Sequence, residues 1–118
     1  MAAPNLKSPT TITGKTAVYA CTASLASALS NGASSGKAFK INGIRAANVT
    51  TSAGTIEVTI FRSSTHYEII KTAQVPINSA LVIANREEYF YLEEGDAIYA
   101  KANATSTIDL IITYEEIA

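Results

Sequence analysis

The stretch Ile56-Glu57-Val58-Thr59-Ile60 puts an aliphatic residue at every second position, with Glu57 and Thr59 between them. Side chains of a β-strand alternate between two faces, so this pattern predicts a strand with one buried and one wet face. Working outward, Ile108, Leu110 and Ile112 alternate in the same way with Asp109, Ile111 and Thr113. Ile98 and Ala100 sit opposite Tyr99 and Lys101. One-sided strands of this kind are typical of antiparallel sheets.

Turn-forming residues cut the chain at short intervals. Asn31-Gly32 and Ser34-Ser35-Gly36 precede Phe39, Thr51 to Gly54 precede Ile56, and Ser63-Ser64-Thr65 precede Tyr67. Asn78-Ser79, Glu94-Gly95-Asp96 and Asn103 to Ser106 mark three later breaks. Gly, Asn, Asp and Ser suit such places because they tolerate left-handed backbone or hydrogen-bond to it locally. Eight to ten short strands so divided predict an all-β fold, a single-domain antiparallel β-sandwich, jelly-roll-like or Ig-like. Residues 1–9, with Pro4 and Pro9, read as a short irregular N-terminal arm.

Two segments depart from simple alternation. Phe39 and Ile41 share one parity and Ile44 and Ala46 the other, so a bulge at Gly43 would return all four to one face. Thr22 to Leu29 is read as strand, although Leu25, Ala28 and Leu29 also fit a helical stripe.

A chain of 118 residues is about one domain. Its formal charge of −1 offers no basic stripe for phosphates, which argues against nucleic-acid binding. No apolar run approaches the ~20 residues that span a bilayer, and the first residues lack the pattern of a signal peptide, so a soluble protein is expected. Cys21 is the only cysteine, so no internal disulfide can form.

Reactive constellations are scarce. His66, the single histidine, follows a turn and is expected to be an exposed loop residue without metal-ligand companions. Cys21, among Val18, Tyr19 and Ala20, is expected to be a small buried hydrophobe. Glu93, Glu94 and Asp96 surround Gly95; a solvated hairpin is expected there, with a weak cation site as the alternative. Asn48-Val49-Thr50 and Asn103-Ala104-Thr105 match the glycosylation pattern by chance, and Gly14-Lys15-Thr16 lacks the rest of a phosphate loop. No enzyme activity, cofactor or metal is therefore expected.

Surface contact is what remains. In Tyr89-Phe90-Tyr91-Leu92, Phe90 and Leu92 should face the core and Tyr89 and Tyr91 the other side. Tyrosine suits interfaces because it joins an apolar body to a polar tip. Phe61 and Ile70 are out of phase with Ile60 and Ile69, so several strands look apolar on both faces. Asn5, Leu6, Lys7, Phe61, Tyr89 and Tyr91 are the candidate assembly contacts.

The segments Thr10 to Thr16, Ser34 to Asn42, Tyr91 to Asp96 and Ile111 to Ile117 resemble small virion structural proteins of tailed bacteriophages, particularly phages of marine bacteria. Where that group carries Asn-Val-Asp-Gly-Thr-Asn, this chain has Asn48 to Gly54, Asn-Val-Thr-Thr-Ser-Ala-Gly. The resemblance implies a capsid decoration, or cement, protein: a β-sandwich on the outside of the head shell, often trimeric, assembled in the host cytoplasm. The implied partner is the major capsid protein or another virion component, and no catalytic residues are implied. A tail, neck or fibre module and a carbohydrate-binding sandwich are the alternatives.

Overall fold

The computed structural model describes residues 4–118. Among the described residues nine strands form: β1 (Ile12–Ala20), β2 (Ala26–Ser30), β3 (Ala38–Asn48), β4 (Gly54–Arg62), β5 (Thr65–Val75), β6 (Ala80–Ala84), β7 (Phe90–Leu92), β8 (Ala97–Ala102) and β9 (Ile108–Ile117). A single 3₁₀ turn, Arg86–Glu88, separates β6 from β7, and Asn85 caps it by accepting from the Glu87 N–H. No described helix is long and apolar enough to cross a membrane.

The first sheet has the order β1-β9-β3-β6, and β7 also pairs with β3; the second has the order β2-β8-β4-β5. Every pairing is antiparallel. β6 meets β3 at Ile44 to Ala47 and β7 meets it at Phe39 to Ile41, so the two act as one interrupted strand. Counted that way, eight strands pass back and forth between two four-stranded sheets, which is the jelly-roll arrangement of a β-sandwich.

Alternation accounts for the core. Ile108, Leu110 and Ile112 of β9 and Ile41 and Ile44 of β3 meet Ile56 and Val58 of β4 and Ile98 of β8, all fully buried. Burial of each such side chain stabilises the fold by roughly 1.5–3 kcal/mol. Phe39 and Tyr114 stack with ring centroids 5.1 Å apart toward one end. Cys21, buried just past β1, joins the same cluster.

The bulge in β3 lies where the parity change puts it. Against β9 the register passes from Ile41↔Tyr114 to Gly43↔Thr113, and Phe39, Ile41, Ile44 and Ala46 all face the core. A Cβ on Gly43 would lie 2.9 Å from Thr113 Oγ1, so any side chain there forces that threonine to shift.

Three expectations are corrected. The strand expected over Thr22 to Leu29 begins only at Ala26. Thr22 instead closes a local turn, its Oγ1 donating to the Ser24 carbonyl and accepting from the Ser24 N–H. Such side-chain bonds compete with a sheet ladder. Ile70 does not face away from Ile69: the β4–β5 register shifts on either side of Val58, and both isoleucines pack against the core. His66 lies on β5 rather than in a loop.

Residues 4–9 of the arm contain no strand, and residues 1–3 lie outside the described residues. Asn5 organises a turn, accepting from the Ser8 N–H on its carbonyl and from the Lys7 N–H on Oδ1. Thr11 and Ala118 exchange backbone hydrogen bonds of 3.1 and 3.0 Å, which extends the β1–β9 ladder by one pair.

Candidate interaction surfaces

The outer face of the first sheet is built by the register of four strands. Val18, Ile111, Arg45 and Val82 lie side by side across β1, β9, β3 and β6. Val18 is 76% exposed and Val82 61%. Thr113, Gly43 and Ala84 line the same shallow depression as Arg45 and Val82. Further along, Gly14, Glu115, Lys40 and Tyr91 form a parallel row. Tyr91 and Tyr89 meet edge to face at 5.8 Å, and Lys40 Nζ sits 4.5 Å above the Tyr89 ring. That cation–π contact holds Tyr89, half-exposed just ahead of β7, against the sheet.

The outer face of the second sheet carries a different cluster. Phe61, His66 and Tyr99 pack with centroid separations of 4.5, 4.9 and 5.0 Å. His66 Nδ1 lies 2.9 Å from Thr59 Oγ1, so the ring is fixed although exposed. Beside it, Lys101 is 3.7 Å from Glu57. Glu68 sits above its ordinary carboxylate range because of desolvation, then a hydrogen bond shared with Glu57 and the repulsion of that neighbour.

The acidic turn is only in part the solvated hairpin expected from its composition: Glu93 and Gly95 are exposed, Asp96 is not. Asp96 is 3% exposed and accepts from Arg62 Nε at 2.9 Å, from Arg62 Nη2, and from the Glu93 N–H at 2.8 Å. Glu93 also meets Arg62 Nη2 at 3.0 Å. The guanidinium is held above its usual range chiefly by the hydrogen bond with Asp96. Glu94 Oε2 accepts from the Gly36 N–H, and Gly95 takes φ +88°. Buried Asn31 braces the same corner, donating to the carbonyls of Lys37 and Leu92 and accepting from Ser35 Oγ. Asp96 and Glu93 face the Arg62 guanidinium and Glu94 a backbone N–H, and no metal-holding group of three ligands occurs among the described residues.

The other motifs resolve into structure. Asn48 is buried, with its amide donating to the carbonyls of Ser52 and Val75 and accepting from Thr50, so it is no sugar acceptor in the fold. Asn103 Oδ1 accepts from the Thr55 N–H. Gly14-Lys15-Thr16 lies in the middle of β1, where Lys15 reaches Glu116 at 3.1 Å. Burial pushes the Cys21 thiol up to about 11, with the Asp109 charge adding to the shift.

Of the candidate contacts, the structure brings Tyr89 and Tyr91 together. Phe61 lies on the other sheet, and Asn5, Leu6 and Lys7 are exposed ahead of β1. Sequence reasoning missed Val18, Val82 and Arg45. Only the register that aligns four distant strands reveals their row, although the out-of-phase Ile111 was a trace of it. No known protein family matches the chain, and no curated protein matches it.

Proposed function

We propose that this chain is a structural virion protein, a capsid decoration protein that binds the outer head shell of a tailed phage and stabilises it. The observation that carries this function is the row Val18, Ile111, Arg45 and Val82 across the outer sheet face, with both valines largely exposed and Arg45 its one charge, in a fold whose charged turn is already consumed internally. Open, largely apolar surface of this sort serves contact rather than chemistry. The resemblance of its turns and strand ends to small virion proteins supplies the location. Binding to assembled shell but not to unfolded shell subunits adds stability by mass action. Tyr89 and Tyr91, beside Lys40, offer amphipathic contacts on the same face.

The experiment is to add the purified protein to undecorated heads, heat them, and image the particles. A raised rupture temperature with density on the shell is expected. An unchanged temperature at saturation rules out cementing, and density on the tail, neck or fibre moves the protein there.

The ring cluster Phe61, His66 and Tyr99 favours one second function, carbohydrate binding, since aromatic faces stack on sugars. Clear hits on a glycan array, lost in Tyr99→Ala, would put that function first.

A further inference from the structure

A sheet edge is a row of unpaired N–H and C=O groups, and proteins normally blunt it with bulges, charges, brevity or proline. Three of the four edges here are blunted. β2 has 5 residues and a register shift between Ser27 and Leu29. β5 has two shifts against β4, a left-handed Thr72 at φ 51°, and the charges of Glu68 and Lys71. β6 has 5 residues, a shift at Ile44/Arg45, and a 3₁₀ turn where it would run on into β7. β1 carries no such break. Its 9 residues keep one unbroken register with β9 from Ile12↔Ile117 to Ala20↔Asp109. It has no proline and no left-handed residue. Its one charge, Lys15, is drawn to Glu116.

The hydrogen-bond parity shows which groups are free. Thr11 exchanges bonds with Ala118, and Cys21 donates to Ile108 in the same register. Antiparallel ladders alternate, so the odd-numbered residues of β1 bond to β9. The N–H and C=O groups of Ile12, Gly14, Thr16, Val18 and Ala20 therefore point away from it, and among the described residues β1 pairs with no other strand.

We propose that this edge is a homodimer interface, in which β1 pairs antiparallel with β1 of a second copy about a two-fold axis at Thr16. Thr16 is the midpoint of Ile12–Ala20. Pairing about it sets Thr16 opposite Thr16, Gly14 opposite Val18 and Ile12 opposite Ala20, so every outward group meets its complement. Lys15 then lies opposite Ala17, whereas parallel in-register pairing would set Lys15 against Lys15 and cost like-charge repulsion. The first sheets of the two copies become one continuous sheet. An edge that pairs with itself closes after two copies. A ring of three built by strand pairing would need a second, complementary edge, and the other three are broken.

Sedimentation equilibrium of the purified chain tests this without phage heads, so its outcome is separate from that of shell binding. The expected mass is twice the 12.4 kDa of one chain. Thr16→Lys, which sets like charges face to face on the wet side of the sheet, should halve that mass with an unchanged circular dichroism spectrum. Mixing it with Thr16→Glu should restore the twofold mass. Amide exchange of the wild type gives a second measurement that needs no variant: Gly14, Thr16 and Val18 should be protected as strongly as Lys15 and Ala17. A monomer or trimer in the wild type, a dimer indifferent to Thr16→Lys, or rapid exchange at Gly14, Thr16 and Val18 overturns the proposal.

Discussion

Replacing Asn48 should be among the most damaging single changes on this chain that touches no aliphatic core residue. Its side-chain amide uses all its bonding capacity: Nδ2 donates to Ser52 and Val75, and Oδ1 accepts from the Thr50 N–H and Oγ1. The bond to the Val75 carbonyl is buried, and Asn48→Ala loses it with no water at hand to replace it, at a cost of about 1–3 kcal/mol. The other partners are partly wet, and losing each costs about 0.5–1.5 kcal/mol. With water replacing some of these bonds, the loss is about 3–5 kcal/mol. For a domain of this size that lowers the melting temperature by about 12–20 °C. Urea unfolding should show an earlier midpoint with an unchanged slope. Asn48→Asp sharpens the test, because a carboxylate would face two carbonyl oxygens. Its folded pKa must then rise above the unfolded value of about 3.9. The variant should be nearest to wild type at low pH and lose stability as pH rises through the folded value. A loss below about 1 kcal/mol for Asn48→Ala, or a flat pH profile for Asn48→Asp, would refute the account of this corner.

Gly43→Ala should destabilise the fold by about 1–3 kcal/mol, and Thr113→Ala in the same chain should recover part of the loss, as a double-mutant cycle in urea would show. Cys21, with its thiol raised to about 11 and fully buried, should resist a thiol reagent at neutral pH in the native protein and react fully once unfolded. At Glu116 burial acts to raise the pKa, but hydrogen bonds from Lys37 and Lys15 outweigh it and hold the group below its ordinary 4.5. The stability it contributes is therefore present above pH 4.5 and lost as pH falls through the lower folded value. Glu116→Gln should flatten the acid side of the stability curve, measured by thermal melts across that range.

How much of this was legible in the sequence depended on the distance over which each signal acts. Period-two alternation is local, so the strands around Ile56, Ile98 and Ile108 could be read directly, as could the bulge at Gly43 from its parity switch. The choice between jelly roll and Ig-like sandwich depends on which strands pair, and β1 with β9 joins opposite ends of the chain. Arg62 and Asp96 were invisible as partners because 34 residues separate them. Asn31 and Asn48 misled in a more instructive way. Both look like surface turn residues, yet each folds its amide inward to donate to carbonyls at the ends of neighbouring strands. His66 read as loop because Ser63 and Ser64, both at positive φ, make the hairpin so tight that β5 starts at Thr65.

The corner at Asp96 has a consequence for the setting in which the protein works. Acidic loops on extracellular and particle proteins commonly recruit calcium, and their rigidity then follows the composition of the medium. Here the neutralising charge is a guanidinium tethered by the peptide chain itself. Dilution cannot remove it and chelators cannot strip it; salt can only screen it. Such a joint keeps its shape in any water the protein meets.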